Sequence, residues 1–296
     1  MKKFARKQTL ERLKTLKAQI RKAADDPKDA ESIHDLRVSI RRFVQCLKVF
    51  QQFFDLRASH KIRRRLEKLM DRCAAVRNCD VAIELLREIE GTHLMEGMVA
   101  MRETAERTLA DSLQRWRHRS IRKTWPNRLQ APARAGLWHA GTPASEDVRR
   151  VLPKLAERFF RAGNTAASRR ATQPAMHRFR IHAKQFRYTL ELFEPLYGEG
   201  LTNHVAQLRT LQDKLGRLND CVASQELVKD DARAVAALAR RATTCETEFR
   251  AQWARHFDAV SRKRWKASLA GTAVSEIKKK EPNADLHSPA RRSRVA

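Results

Sequence analysis

Apolar residues recur along most of this chain at intervals of three and four, the period of an α-helix that packs on one face. Leu10, Leu13, Leu16 and Ile20 open the series. The pattern predicts helices over about residues 8–23, 32–54, 58–74, 79–90 and 94–122, punctuated at Pro27, Gly91 and Pro126. Pro126, Pro132, Gly136, Gly141 and Pro143 form a break-rich stretch well placed to join two halves. The pattern restarts with Ser145 as a helix N-cap ahead of Glu146 and Asp147, pauses near Gly163 and Asn164, and enters another helix near Gln173 and Pro174. Further helices are predicted over about 200–217, 219–240 and 243–266. No stretch sustains period-two alternation, so the fold class is all-α. After residue 267 periodicity stops, and Lys278, Lys279, Lys280, Arg291, Arg292 and Arg294 beside Pro282 and Pro289 have the composition of a disordered basic tail over 268–296.

One segment occurs twice. Ile33 to Phe43 matches Met176 to Phe186, with His34 and Arg37 returning as His177 and Arg180 at a common offset of 143 residues (177 minus 34), and Arg41 returning as Lys184. On a helical wheel His34, Arg37, Arg41, Gln45 and Lys48 form one stripe, opposite Leu36, Ile40, Phe43, Leu47, Phe50 and Phe54. In the second copy His177, Arg180, Lys184 and Tyr188 face away from Phe179, Ala183, Phe186, Leu190, Phe193 and Tyr197. A later pair of segments, Leu66 to Cys79 and Leu208 to Cys221, matches at an offset of 142 (208 minus 66). Two matches in the same order at nearly one offset imply an internal duplication.

Charge sharpens the picture. Lys and Arg number 62 against 34 Asp and Glu, for a formal net charge of +28 and an isoelectric point near 10.9. A surface this cationic calls for an acidic partner. With 42% hydrophobic residues over 296 positions the chain still has ample material for a core. Its five cysteines, Cys46, Cys73, Cys79, Cys221 and Cys245, are odd in number and never form a Cys-x-x-Cys pair. That argues against a disulfide framework and a zinc site, and a reducing cytoplasm is the expected compartment. No apolar run approaches the roughly 20 residues needed to cross a bilayer, and no signal-peptide core is present at the N-terminus. Glu11 interrupts the basic face there, which favours an amphipathic helix over a transit peptide.

These motifs resemble the CHAD family, the conserved histidine α-helical domain. Its hallmark His-x-x-Arg-(Val/Ile)-x-x-(Arg/Lys) is matched by His34 to Arg41 and by His177 to Lys184. Phe186-Arg187-Tyr188-Thr189-Leu190-Glu191 resembles the family's Arg-Tyr-x-x-Glu run. Leu215-Gly216-Arg217-Leu218-Asn219-Asp220 resembles its Leu-Gly-x-x-(Arg/Asn)-Asp element, and Cys73 to Asn78 does so less well. The resemblance covers residues 5–267, with a first half over 5–125, a linker over 126–145 and a second half over 146–267. It implies two pseudo-symmetric bundles of about four helices each, a basic surface along the long helices, binding of inorganic polyphosphate and association with polyphosphate granules. Ala74 and Asn78 depart from the Gly and Asp of the first-half element, and Glu191 stands where Lys48 stands in the other half, so the halves need not contribute equally.

A polyphosphate offers only charge and acceptor oxygens. Arg grips phosphate oxygens in pairs, Lys supplies a point charge, and His adds a donor whose charge rises as an anion approaches. The candidate ligands are therefore His34, Arg37, Arg41, Arg42, Lys48, His177, Arg180, Lys184, Arg187 and Tyr188, with Arg63, Arg64, Arg169 and Arg170 as weaker candidates. The apolar stripes are read as core. His34 and His177 have a structural alternative at their helix starts, and the hydroxyl of Tyr188 has one as well.

Three rival readings carry less. An enzyme would need a nucleophile with its base, a glycine-rich phosphate loop or the Glu-x-Glu-x-Lys strand of a triphosphatase domain, and none is in the sequence. A metal site at His34, His177 and His182 lacks nearby carboxylates or thiolates and has cationic neighbours, so neither metal nor cofactor is expected. A nucleic-acid-binding protein is the serious alternative, since charge attracts any polyanion. Aromatic residues make up only 6% and lie mostly on the core face, so weak non-specific binding is expected rather than base readout.

Overall fold

The structure, a computed structural model, describes residues 1–271 except Glu90 and Ala140. Its helices are α1 (Lys2–Asp25), α2 (Ala30–Val49), α3 (Leu56–Glu88), α4 (Met95–Arg117), α5 (Ile121–Arg128), α6 (Ala144–Ala167), α7 (Gln173–Tyr197), α8 (Thr202–Leu227), α9 (Ala232–His256) and α10 (Ala259–Ala270). Among the described residues there is no strand, only an isolated bridge between Phe54 and Gln130. The all-α expectation holds.

Several expected breaks do not occur, for one reason: the apolar spacing never lapses. Buried Leu66, Leu69, Cys73, Val76 and Cys79 keep intervals of three and four through residues 74–79. α3 therefore runs uninterrupted for 33 residues, about 50 Å. Leu211, Leu215, Leu218 and Cys221 carry α8 through Gly216 in the same way, and Leu238, Ala242 and Cys245 carry α9 past residue 242. The pause expected at Gly163 is absent because that glycine makes room for a ring. A Cβ there would lie 1.8 Å from Trp253, whose indole Nε1 donates to Asn164 Oδ1 at 2.9 Å. α6 starts one residue before the expected cap Ser145, with Pro143 in the cap position.

Elsewhere a helix ends early. α4 stops at Arg117 because the buried Lys17 ammonium closes its C-terminus, donating to the carbonyls of Trp116 (3.5 Å), Arg117 and Arg119 (3.1 Å). At the other end of the chain, Leu269 is fully buried and α10 continues to Ala270. The basic tail thus cannot begin at Ser268, and its remainder from Thr272 lies outside the described residues.

The packing repeats. α1 contacts α2, α4 and α5, as α6 contacts α7, α9 and α10; α3 lies on α2 and α4, as α8 lies on α7 and α9. Phe43 stacks on Trp125 at 5.8 Å between ring centroids, and its equivalent Phe186 meets Trp265 at 6.1 Å. Each half thus has five helices, a short fifth one adding to the four expected.

The halves share one core. Phe50 and Phe193, equivalent positions of α2 and α7, meet edge to face at 5.8 Å. Trp138 of the linker lies 5.3 Å from Phe193, is 2% exposed, and donates its indole N–H to Val49 O at 2.8 Å. The linker is a plug in the junction. α2 and α7 touch there, near their C-terminal ends. α3 touches α8 near theirs, where Cys79, Ala82 and Leu86 pack with Val228, Ala234 and Leu238 of the second half. Between those two contacts lies the stretch of α2, α3, α7 and α8 that holds the repeated basic motifs.

Candidate anion-binding site

The first motif is placed by α2, whose start is fixed by Asp29: its carboxylate accepts from the N–H groups of Glu31 (3.0 Å) and Ser32 (3.2 Å). From that start Ile33, Leu36, Ile40, Phe43 and Leu47 turn into the core, which aims Arg37 and Arg41 at the other half. In α7, Met176, Phe179, Ala183, Phe186 and Leu190 do the same for Arg180 and Lys184. The two stripes, read from the sequence as a binding face in each half, are not separate. They face one another across the seam between the halves.

Arg37, Arg41, Arg180 and Lys184 gather there, all half-buried. Each has neither an ion pair nor a side-chain hydrogen bond among the described residues, and the Nε atoms of Arg37 and Arg180 are buried without a partner. Arg37 and Arg41 lie one turn apart on α2, as Arg180 and Lys184 do on α7, and α2 packs against α7. Burial and then Arg41 push Arg37 down to about 10, with Arg77 and Arg180 adding to the shift. Burial, followed by Arg180, Arg41 and Arg37, pushes the Lys184 amine down to about 6, opposed only by Asp220. Arg180 is lowered by burial and partly restored by Asp220. Asp220 is the carboxylate that acts on this group, and its first-half equivalent is the neutral Asn78.

The histidines stand at the rim. His177 is exposed, and its Nδ1 donates to Asn219 Oδ1 at 2.8 Å. His34 is exposed as well, and its pKa is lowered by partial desolvation, then by Arg37, Arg41 and Arg77. Arg77 of α3 occupies the place that Asn219 occupies in α8, so the first half replaces an amide with a cation. Arg77 was not among the residues chosen from sequence, although the 142-residue offset that aligns it with Asn219 was visible. It has a long 3.8 Å ion pair with Glu84.

Other candidates belong elsewhere. Arg42 and Arg187 both bind Glu191, whose side chain is 5% exposed, at 2.9 and 2.7 Å. Arg187 also donates to Gln212 Oε1 at 2.7 Å and lies 4.7 Å over the Tyr188 ring. Both are engaged within the fold, sharing one carboxylate. Tyr188, expected on the outward stripe, is 4% exposed and packed beneath that guanidinium. Lys48 is exposed at the far end of α2, with Arg63 and Glu67 acting on it, and the Nε of Arg63 is buried without a partner. Arg64, Arg169 and Arg170 are exposed and outside the cluster.

Such an arrangement costs stability. Like charges a few ångströms apart repel by on the order of a few kcal/mol per pair at an effective dielectric constant near 20. Buried guanidinium donors without acceptors add to the cost. Chemically, the cluster is a set of converging donors for an anion with many oxygens.

The chain belongs to the CHAD domain family, whose model matches residues 7–229, and polyphosphate binding is a known property of that family. The fold resembles the crystal structure of the CHAD domain from the plant Ricinus communis, with a TM-score of 0.59 and 21% identity over 91% of each chain. It also resembles PptA from Streptomyces chartreusis, with a TM-score of 0.55 and 14% identity over 90% of this chain and 98% of that one. No curated protein matches the chain.

Proposed function

We propose that this protein binds inorganic polyphosphate without catalysing a reaction on it, through Arg37, Arg41, Arg180 and Lys184 with His34, Arg77 and His177 at the rim, and that it associates with polyphosphate granules in the cytoplasm. The observation that carries the reading is that none of those four side chains has an ion pair or side-chain hydrogen bond among the described residues, with Asp220 alone acting on Arg180 and Lys184 electrostatically, while Arg42 and Arg187 nearby both pair with Glu191. A fold that can neutralise its arginines leaves these unneutralised, which suits a ligand that brings the charge. A single flexible strand of phosphates can enter a seam between helices. Duplex DNA holds its phosphates on a stiff scaffold and meets only the exposed cations, so its binding is expected to be weaker and non-specific.

The test is competition at matched salt. Long-chain polyphosphate is expected to displace duplex DNA of equal phosphate concentration, and to bind more tightly than orthophosphate, because linked contacts share one loss of translational freedom. Equal affinity for DNA and polyphosphate across a salt titration would return the protein to the nucleic-acid reading.

A further inference from the structure

The lysines with identifiable work in this fold have oxygen partners. Lys17 closes α4 through three carbonyls, and Lys214 pairs with Glu248 at 2.9 Å. Lys184 is different: half-buried, without an acceptor among the described residues, and surrounded by Arg180 on its own helix and Arg37 and Arg41 on α2. Asp220 on α8 is the one carboxylate acting on it. Burial and the three neighbouring guanidiniums together disfavour a fourth positive charge here. Arginine does not give up its proton under these conditions, so the amine is the group that yields.

A neutral amine beside three phosphate-gripping guanidiniums is the arrangement required for attack on a reagent that carries both a phosphate and an electrophilic carbon. We propose that Lys184 is a site of self-acylation by small acyl phosphates, whose phosphate is held by Arg37, Arg41 and Arg180 while the amine takes the acyl group. The Lys184 Nζ lone pair forms the new bond to the acyl carbon, and the bond from that carbon to the bridging phosphate oxygen breaks with its electron pair. The nitrogen loses one proton, which leaves with the departing phosphate. An amide and inorganic phosphate result, with no oxidant or reductant involved. The guanidiniums also stabilise charge developing on the leaving oxygen.

Acyl transfer from the neutral amine follows from the same crowding that lowers its basicity. A lysine with the ordinary value of about 10.4 is neutral about one time in a thousand at pH 7.5, whereas one near 6 is mostly neutral. The amide can no longer take up a proton, so acylation removes one of the charges a polyanion would recruit. The proposal rests on the reading of this cluster as an anion site, though not on polyphosphate being the anion.

The experiment treats the full chain with acetyl phosphate at pH 7.5 and follows acetylation of Lys184, Lys7 and Lys14 by peptide mass spectrometry. Lys7 and Lys14 are exposed references on α1. Lys184 is expected to react at least about tenfold faster than either, and that lead is expected to shrink with N-acetoxysuccinimide, which carries no phosphate. A rate at Lys184 no greater than at Lys7 and Lys14, or a lead equally large with the phosphate-free donor, would overturn the proposal. Long-chain polyphosphate added to the reaction separates the two readings. Tight polyphosphate binding without preference for Lys184 defeats the modification alone. Preferential acetylation that saturating polyphosphate does not suppress supports the modification and defeats the polyphosphate assignment.

Discussion

Arg42 of the first half and Glu191 of the second are joined by a 2.9 Å ion pair, while Arg41, one position earlier on the same helix, has no such partner among the described residues. The contrast divides the basic residues of the seam into two groups. One group is tied to Glu191, with Arg42 reaching it from the other half, and the other awaits a ligand.

Substitution of the unpaired group is expected to separate binding from stability. Arg41→Gln and Arg180→Gln should each weaken polyphosphate binding and lower its salt dependence, with a melting temperature unchanged or slightly raised because like-charge repulsion is relieved. Calorimetry alongside a salt titration reads both quantities. A clear fall in melting temperature for Arg41→Gln would show that side chain to be structural.

The paired group should behave in the opposite way. Arg187→Gln leaves Glu191 buried with one fewer cation and removes the hydrogen bond to Gln212. A loss of about 1–3 kcal/mol in unfolding free energy is expected, with polyphosphate affinity of the folded protein nearly unchanged. Denaturant titration and binding measured below the transition test this directly.

Lys184 makes the stability of the free protein depend on pH. Its folded value is about 6 and its unfolded value about 10.4, so between those limits the unfolded chain binds a proton that the folded chain does not. Stability should therefore rise with pH across that window, with the penalty fully present below pH 6. In Lys184→Met the rise should be flatter and the protein more stable near pH 6. Parallel melting curves for the two proteins from pH 6 to 9 would contradict the assignment.

The helices and their inward faces were legible in the sequence because the periodicity of Leu, Ile and Phe reports which side of a helix is dry, and the His34–His177 match exposed the duplication. Periodicity alone does not say what a polar face meets. The stripe of Arg37 and Arg41 was read as an anion-binding face of its own half, because nothing local reveals that α7 lies across it. Glu191 is the same kind of case: its offset from Lys48 was visible, but its capture of Arg42 and Arg187 depends on how the halves dock. Gly163 shows the converse error, a residue read as a break that instead admits the ring of Trp253. Replacing it with Ala should destabilise by about 1–3 kcal/mol or more through overpacking, measurable by denaturant titration.

His34 supplies a proton linkage of binding that can be distinguished from that of Lys184. In the free protein His34 is held below its ordinary value by partial burial and by Arg37, Arg41 and Arg77. A bound polyanion opposes those cations and favours the imidazolium, so binding should take up protons and tighten as pH falls from about 8 toward about 6. Lys184 contributes with the same sign, since the anion also restores its charge. The double variant His34→Gln with His177→Gln keeps hydrogen-bond donors but removes both imidazoles. It should lose part of the pH dependence, and adding Lys184→Met should remove most of the rest. If the double variant follows the wild-type profile throughout, the whole linkage belongs to Lys184, and the histidines serve only to shape the rim, as the Asn219 hydrogen bond to His177 already does.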